Sequence, residues 1–372
     1  MECGSKYGTA NDQRKKMNPF QGLKVIELAS VLAGPAVGMF FAELGADVLK
    51  VENATTGGDT TRHWKMPSED PTEPASAYFH SVNWGKRHVF LDLTQAADRQ
   101  QLMAWLKAAD VIISNFKKGG AEKLGLDCVS LAQWNPRLIY ASISAYGEDD
   151  LRPGFDVAIQ AETGWMHMNG EPDGPPTKMP VALMDLLAAH QLKEGILVAL
   201  LQREKTGKGG EVTVSLFDTG VASLANQAAN WLNLRHLPQR MGSRHPNIAP
   251  YGEVFYTKDD KPLIVSTGTE QQFRALCDLL AAPQIAADGR FATNALRLEH
   301  RLALAELLQA AFRAFPSDMM LAECHAAQVP VAPIRDLAEV FELPAAKDLI
   351  LEEHAPDGKV SRRVRTAVFK LK

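Results

Sequence analysis

The chain has 372 residues, 46% hydrophobic and 23% charged, which is more apolar material than one compact core uses, so two domains are expected. Its 40 basic and 44 acidic side chains leave a net charge of -4, which excludes a general attraction to nucleic acid or to acidic membranes. No apolar run approaches the roughly 20 residues of a membrane span, and Cys3, Cys128, Cys277 and Cys324 lie too far apart for a CxxC site or a disulfide scaffold; a soluble protein of the reducing cytoplasm is expected.

Residues 1–17 are polar and carry Arg14-Lys15-Lys16 with no apolar segment behind it, so a disordered tail is expected there and not a secretory signal, with Met17 an alternative initiator. From residue 18 short apolar runs alternate with helical patterns, the signature of an open, Rossmann-like parallel sheet in an α/β domain. Strands are predicted at Lys24 to Leu28, Asp47 to Val51, His88 to Leu91, Val111 to Ser114 and Leu138 to Ser142. Helices are predicted at Ala36 to Glu43, Ala96 to Ala108, Phe155 to Met166 and Asp185 to Arg203. Thr206-Gly207-Lys208-Gly209-Gly210 lacks the P-loop spacing and reads as a helix stop, followed by a strand, Glu211 to Val214, and a helix, Asp218 to Leu232.

These elements assign 18–232 to a large domain. A smaller α+β domain is expected over 233–328, with Tyr251 to Thr267 forming two strands joined at Lys258-Asp259-Asp260-Lys261 and helices running to about Ala327. Residues 329–372 regain short apolar runs and are expected to return to the large domain.

Chemistry concentrates where the turn-rich Gly170-Glu171-Pro172-Asp173-Gly174-Pro175-Pro176 gives way to the long apolar helix. Asp185 falls at that helix N-terminus, where free N–H groups and the dipole favour an anion by about 0.3 to 2 kcal/mol, so it is expected to stay ionised and to serve as a nucleophile. On local pattern alone, an Asp there reads first as a helix cap. Ala33-Gly34-Pro35 lies between the first strand and its helix, where backbone N–H groups can meet an anion, with proline suited to the first turn. It is not a GxGxxG fingerprint, and Glu52 only imitates a ribose-binding acid, which disfavours a nicotinamide dehydrogenase. The ten histidines show neither HExxH nor a Cys/His zinc spacing, so no metal is expected.

Several motifs follow one another in a fixed order: Gly22-Leu23-Lys24-Val25-Ile26-Glu27-Leu28, Ala33-Gly34-Pro35, Leu44-Gly45-Ala46-Asp47-Val48-Leu49-Lys50-Val51-Glu52, Gly58-Asp59 with Arg62, Asn83 with Lys86-Arg87, Asn115-Phe116, Leu138 to Gly147, and Thr206-Gly207-Lys208-Gly209. His245-Pro246-Asn247 with Pro250-Tyr251, and Pro330-Val331-Ala332-Pro333, continue the series toward the C-terminus. In this order they resemble the family III CoA-transferases. The resemblance implies the fold of that family, an interlocked homodimer, and acyl-CoA and a small carboxylic acid as substrates with no tightly bound cofactor. In its register Asp185 is the catalytic aspartate, attacking a thioester to give first a mixed anhydride and then an aspartyl-CoA thioester.

The resemblance assigns CoA binding to Leu32, Ala33, Gly34, Leu91, Asp92, Asn115, Phe116, Lys117, Lys123 and Tyr146. The phosphates of CoA need local cations, for which Lys86, Arg87, Lys117, Lys118 and Lys123 are candidates. Asn53, Thr94 and Ser144 stand where formyl-CoA transferase carries basic residues, and Leu32 stands where it carries glutamine, so oxalate and formate are not the preferred acids. The loop Met241 to Pro246 resembles one that reaches the acyl site, which makes His245 a residue to follow. The alternative is an alpha-methylacyl-CoA racemase, whose Gly-His-Asp motif reads Gly154-Phe155-Asp156 here; phenylalanine cannot carry a proton.

Overall fold

Six parallel strands, β1 (Lys24–Glu27), β2 (Asp47–Asn53), β3 (Arg87–Leu91), β4 (Val111–Ser114), β5 (Ile139–Ser144) and β6 (Gly210–Ser215), pair in the order β3-β2-β1-β4-β5-β6 in the computed structural model. The model describes residues 18–354 and 358–370, so the tail expected over 1–17 lies outside the described residues. All six match predicted strands, with ends displaced by a residue or two. Val111, Ile112 and Ile113 are fully buried, as befits a sheet covered on both faces. The order reverses between β1 and β4, and open α/β sheets take ligands beyond the carboxyl ends of the strands at such a point.

Helix α1 (Ala33–Glu43) connects β1 to β2 and begins earlier than the predicted Ala36, because Pro35 fits a first helical turn. The long helix Leu183–Thr206 enters β6 and packs on α1, β5 and β6; it ends on Gly207, whose φ of 73° makes the predicted glycine stop. Where α1 crosses β1 the protein buries charge. Lys50 Nζ meets Glu27 at 2.8 Å and Asp59 at 3.0 Å, and Lys86 Nζ meets Glu27 at 2.8 Å and also reaches Asn83 and the Pro35 carbonyl. Gly38 makes this possible, because a Cβ there would collide with the Glu27 carboxylate. Gly38→Ala should therefore cost about 3 to 5 kcal/mol by parting a buried ion pair, measured by denaturant unfolding; an unchanged midpoint would contradict this role.

Two compact units divide the chain differently from the predicted domains. The first takes in the described residues up to Thr163, together with Pro180–Leu224 and the C-terminal segment from Leu349; the second comprises Gly164–Met179 and Ala225–Asp348. Two predicted helices break at these boundaries. Phe155 to Met166 becomes Asp156–Glu162 and Trp165–Met168, parted by Gly164 at φ 85°. Asp218 to Leu232 becomes Leu216–Ala222 and Ala225–Leu234, parted by Ala225 at φ 48°.

In the second unit, β7 (Tyr251–Tyr256) and β8 (Pro262–Ser266) form the predicted antiparallel pair. The return at 329 needs correction: β9 (Val331–Pro333) pairs with β8, and Val329 and Val331 join the core of this unit with Phe255, Phe273 and Phe312. The first unit resumes only at Leu349, with the hairpin of β10 (Ile350–His354) and β11 (Val360–Val364).

Candidate active site

The loop after β1 sits at the point where strand order reverses, and the chain pins each of its residues. Leu28 N–H donates to the Ile113 carbonyl, the Ser30 N–H and carbonyl both bond to the Asn115 side chain, and Val31 N–H donates to Asp59. Gly34 then brings α1 against the loop so closely that a Cβ would strike the Ala29 methyl. A helix that leads into a parallel strand starts at the edge where the strands end, so Leu183–Thr206 starts at this same edge.

Asp185 occupies the first turn of that helix, as predicted, but does not cap it. The cap comes from Asp156, whose Oδ1 accepts the Met184 N–H at 2.7 Å and whose Oδ2 accepts from Gln160 at 2.6 Å. The Asp185 carboxyl accepts no hydrogen bond among the described residues and is only 9% exposed. Burial first, then the charge of Asp156, pushes its pKa up to about 7. The expected permanently ionised carboxylate is thus corrected: desolvation outweighs the helix dipole, and the group titrates near neutrality. Tyr78, half-buried against Trp64, lies in the same field; burial and then the charges of Asp185 and Asp156 push its hydroxyl up to about 12.

The residues assigned to CoA converge on this edge. Leu32, Ala33 and Gly34 follow β1; Leu91 and Asp92 end β3; Asn115, Phe116 and Lys117 follow β4; and Tyr146 follows β5. Their side chains are differently disposed. Leu91 is buried in the core and Phe116 packs against it, which leaves their backbones for a ligand. The Asp92 carboxylate accepts the N–H and hydroxyl of Thr94 in a local turn, and the Asn115 side chain is committed to Ser30. The Tyr146 hydroxyl donates to Glu162, with Arg152 stacked over its ring. A cavity of about 390 Å³ opens at the ends of β1 and β2, lined among others by Ala29, Ser30, Asn53, Thr56 and Gly58.

Two of the five candidate cations fall away, and a third is paired at the surface. Lys86 is buried on Glu27, and Arg87 sits at the opposite end of β3, paired with Asp47. Lys118 pairs with Asp149. Lys117 and Lys123 are exposed and make no ion pair among the described residues; Lys123 lies in the last turn of the short helix Gly120–Leu124. The Glu52 carboxylate is likewise engaged within the protein, by Arg62, His88 and the Asp59 N–H. Burial alone would raise its pKa, but hydrogen bonds from Arg62 and His88 hold it well below the usual carboxylate range. In the second unit, His245 is tied within its own loop: its N–H donates to the Tyr251 carbonyl and its Nδ1 accepts the Asn247 N–H. No group of three or more His, Cys, Asp or Glu among the described residues could hold a metal, and no helix among them is long and apolar enough to cross a membrane.

Sequence reasoning missed Asp156 as the helix cap and Asp59 as the partner of Val31. Gly58-Asp59 and Gly154-Phe155-Asp156 were visible as motifs, but only the fold shows what each carboxylate holds.

Comparison with known proteins gives the same picture. The family model for CoA-transferase family III matches residues 20–372. The succinate–glutarate CoA-transferase of Agrobacterium fabrum is 39% identical over 96% of this chain and 91% of its own. The acetyl-CoA:oxalate CoA-transferase of Acetobacter aceti is 37% identical over 92% of this chain and 88% of its own. A crystal structure of a CaiB/BaiF family protein from Brucella suis superposes with a TM-score of 0.81 at 40% identity, covering 95% of this chain and 93% of that one. On this agreement of sequence and fold, the chain belongs to CoA-transferase family III and is a CoA-transferase.

Proposed function

We propose that the enzyme moves CoA from an acyl-CoA thioester to a free carboxylic acid, with Asp185 as the nucleophile. The supporting observation is a buried carboxyl that accepts no hydrogen bond among the described residues, at a helix start on the sheet edge where the residues assigned to CoA converge. In the first step a carboxylate oxygen of Asp185 attacks the acyl carbonyl, the C–S bond breaks, and CoA leaves as thiolate from a mixed anhydride. The thiolate attacks the aspartyl carbonyl of that anhydride and expels the first acid as carboxylate, which leaves an aspartyl-CoA thioester. An incoming carboxylate repeats both steps in reverse. An anhydride and a thioester are both activated acyl donors, whereas a serine ester would trap the acyl group.

Charge develops on the acyl oxygen during attack, and the N–H groups of Leu32, Ala33 and Gly34 are the donors proposed to stabilise it, since no side chain caps α1. Titration of Asp185 near neutrality suits a group that must be carboxylate to attack and leaving group to depart. The relatives are named for succinate, glutarate and oxalate, so a small dicarboxylic acid is the proposed acceptor class. Interlocked homodimer assembly and a cytoplasmic location belong to the same proposal; the first is supported by family membership, the second by the free thiols of Cys128, Cys277 and Cys324 among the described residues.

Exchange of a labelled acid into acyl-CoA tests transfer directly. Exchange of alpha hydrogen with solvent, without movement of CoA, would establish the racemase reading instead. Lys123, exposed and without an ion pair among the described residues, is proposed to meet a CoA phosphate. Lys123→Ala should raise the KM for acyl-CoA roughly three- to tenfold with kcat nearly unchanged, the pattern of lost uniform binding. An unchanged KM would remove it from the site.

A further inference from the structure

Val31 has a φ of 73°. For a β-branched residue this costs about 1 to 3 kcal/mol and persists only where the surroundings over-determine it. The Val31 N–H is aimed at both oxygens of Asp59, at 3.2 and 3.3 Å. The preceding residues are held as well, Ser30 by Asn115 and the Ala29 carbonyl by Lys50 Nζ at 2.7 Å. Asp59 is 3% exposed and itself immobilised by Lys50 Nζ at 3.0 Å, the Thr61 N–H at 3.1 Å and the Thr61 hydroxyl at 2.9 Å. Directly after this turn α1 begins with no side-chain cap, so the strained residue stands between a buried charge network and the proposed oxyanion donors.

We propose that Asp59 is a positioning residue of the transfer reaction: it holds the left-handed turn at Val31, and that turn sets the N–H groups at the start of α1 to receive the charge that develops on the thioester carbonyl. This rests on the reading that the start of α1 meets the reacting thioester. If Asp59 served only to neutralise Lys50, relief of strain at residue 31 would not substitute for it. Because the donors act on charge present only in the transition state, their misplacement lowers kcat and leaves substrate affinity nearly intact.

The test is a pair of variants assayed by labelled-acid exchange, with folding checked by circular dichroism. Asp59→Asn should lower kcat about tenfold or more, with the KM for acyl-CoA within about twofold. Adding Val31→Gly should recover at least about threefold of that loss, since glycine adopts positive φ without strain. A folded Asp59→Asn enzyme with wild-type kcat, or a folded double variant with no recovery, overturns the proposal. Should Asp59→Asn not fold, Thr61→Val decides, since it removes one hydroxyl bond to Asp59 and leaves the Lys50 pair in place. A loss of about threefold in kcat at constant KM then supports the positioning role, and wild-type kcat overturns it. Hydroxylamine labelling of Asp185 in the wild-type enzyme keeps the two ideas apart. A labelled Asp185 alongside an indifferent Asp59→Asn sinks the positioning role alone, whereas an unlabelled Asp185 during turnover removes the reaction on which it rests.

Discussion

Asp185→Asn is expected to lower CoA transfer by at least about a thousandfold while the fold stays intact, because an amide neither attacks a thioester nor forms an anhydride. The helix start does not depend on this side chain, since Asp156 provides its cap. The same variant should be more stable than the wild type above pH 7. Folding raises the Asp185 pKa from 3.8 to about 7, so the folded state binds this proton more tightly than the unfolded state. The wild type therefore loses stability as pH rises from about 4 through 7, by about 2 to 4 kcal/mol in all, and levels off above that. The amide of the variant cannot ionise and escapes this loss. Urea unfolding at pH 5 and pH 8 measures it: about a third of the loss is already present at pH 5, and the gap between variant and wild type should widen further by pH 8. A variant with wild-type transfer would refute the nucleophile, and a gap between variant and wild type that is the same at both pH values would refute the buried environment.

The second large effect concerns rate against pH. Below pH 7 the kcat/KM for acyl-CoA should rise about tenfold per pH unit and then flatten, since this ratio reports ionisation of the free enzyme and only the carboxylate attacks. An ordinary surface aspartate would give a flat profile from pH 5 to 8. Asp156→Asn removes the like charge beside Asp185 and should move the midpoint down, with burial still holding it above the ordinary value. A profile already flat at pH 5 in the wild-type enzyme would show that Asp185 is not desolvated in solution.

The strands were legible because a parallel sheet buried on both faces writes each strand as a short continuous apolar run, Val111 to Ile113 being the clearest. The helix breaks were not. Ser223-Leu224-Ala225 has no helix breaker in it, and the positive φ at Ala225 marks the passage between two compact units, not a local preference. The segment from Val329 read as short apolar runs, but the pairing of Val331 to Pro333 with β8 is a long-range choice that local pattern does not carry. At the site, the helix start at Asp185 was readable from the turn-rich segment before it. Its titration near neutrality was not, because desolvation and the approach of Asp156 come from packing. Lys86 misled for the same reason. Beside Arg87 it reads as surface charge, yet Glu27, Asn83 and the Pro35 carbonyl enclose it.

The covalent role of Asp185 is tested most directly by trapping. Incubation with acyl-CoA followed by hydroxylamine should convert Asp185 to a hydroxamate, because the amine attacks the aspartyl carbonyl of an anhydride or thioester and expels carboxylate or CoA thiolate, whereas a free carboxylate is inert. Mass spectrometry of the peptide spanning Leu183 to Lys193 should then show the modification at Asp185, dependent on acyl-CoA and absent from Asp185→Asn. An unmodified Asp185 peptide, in a sample where labelled acid is demonstrably entering CoA thioester, would mean that CoA passes between acids without an aspartyl intermediate.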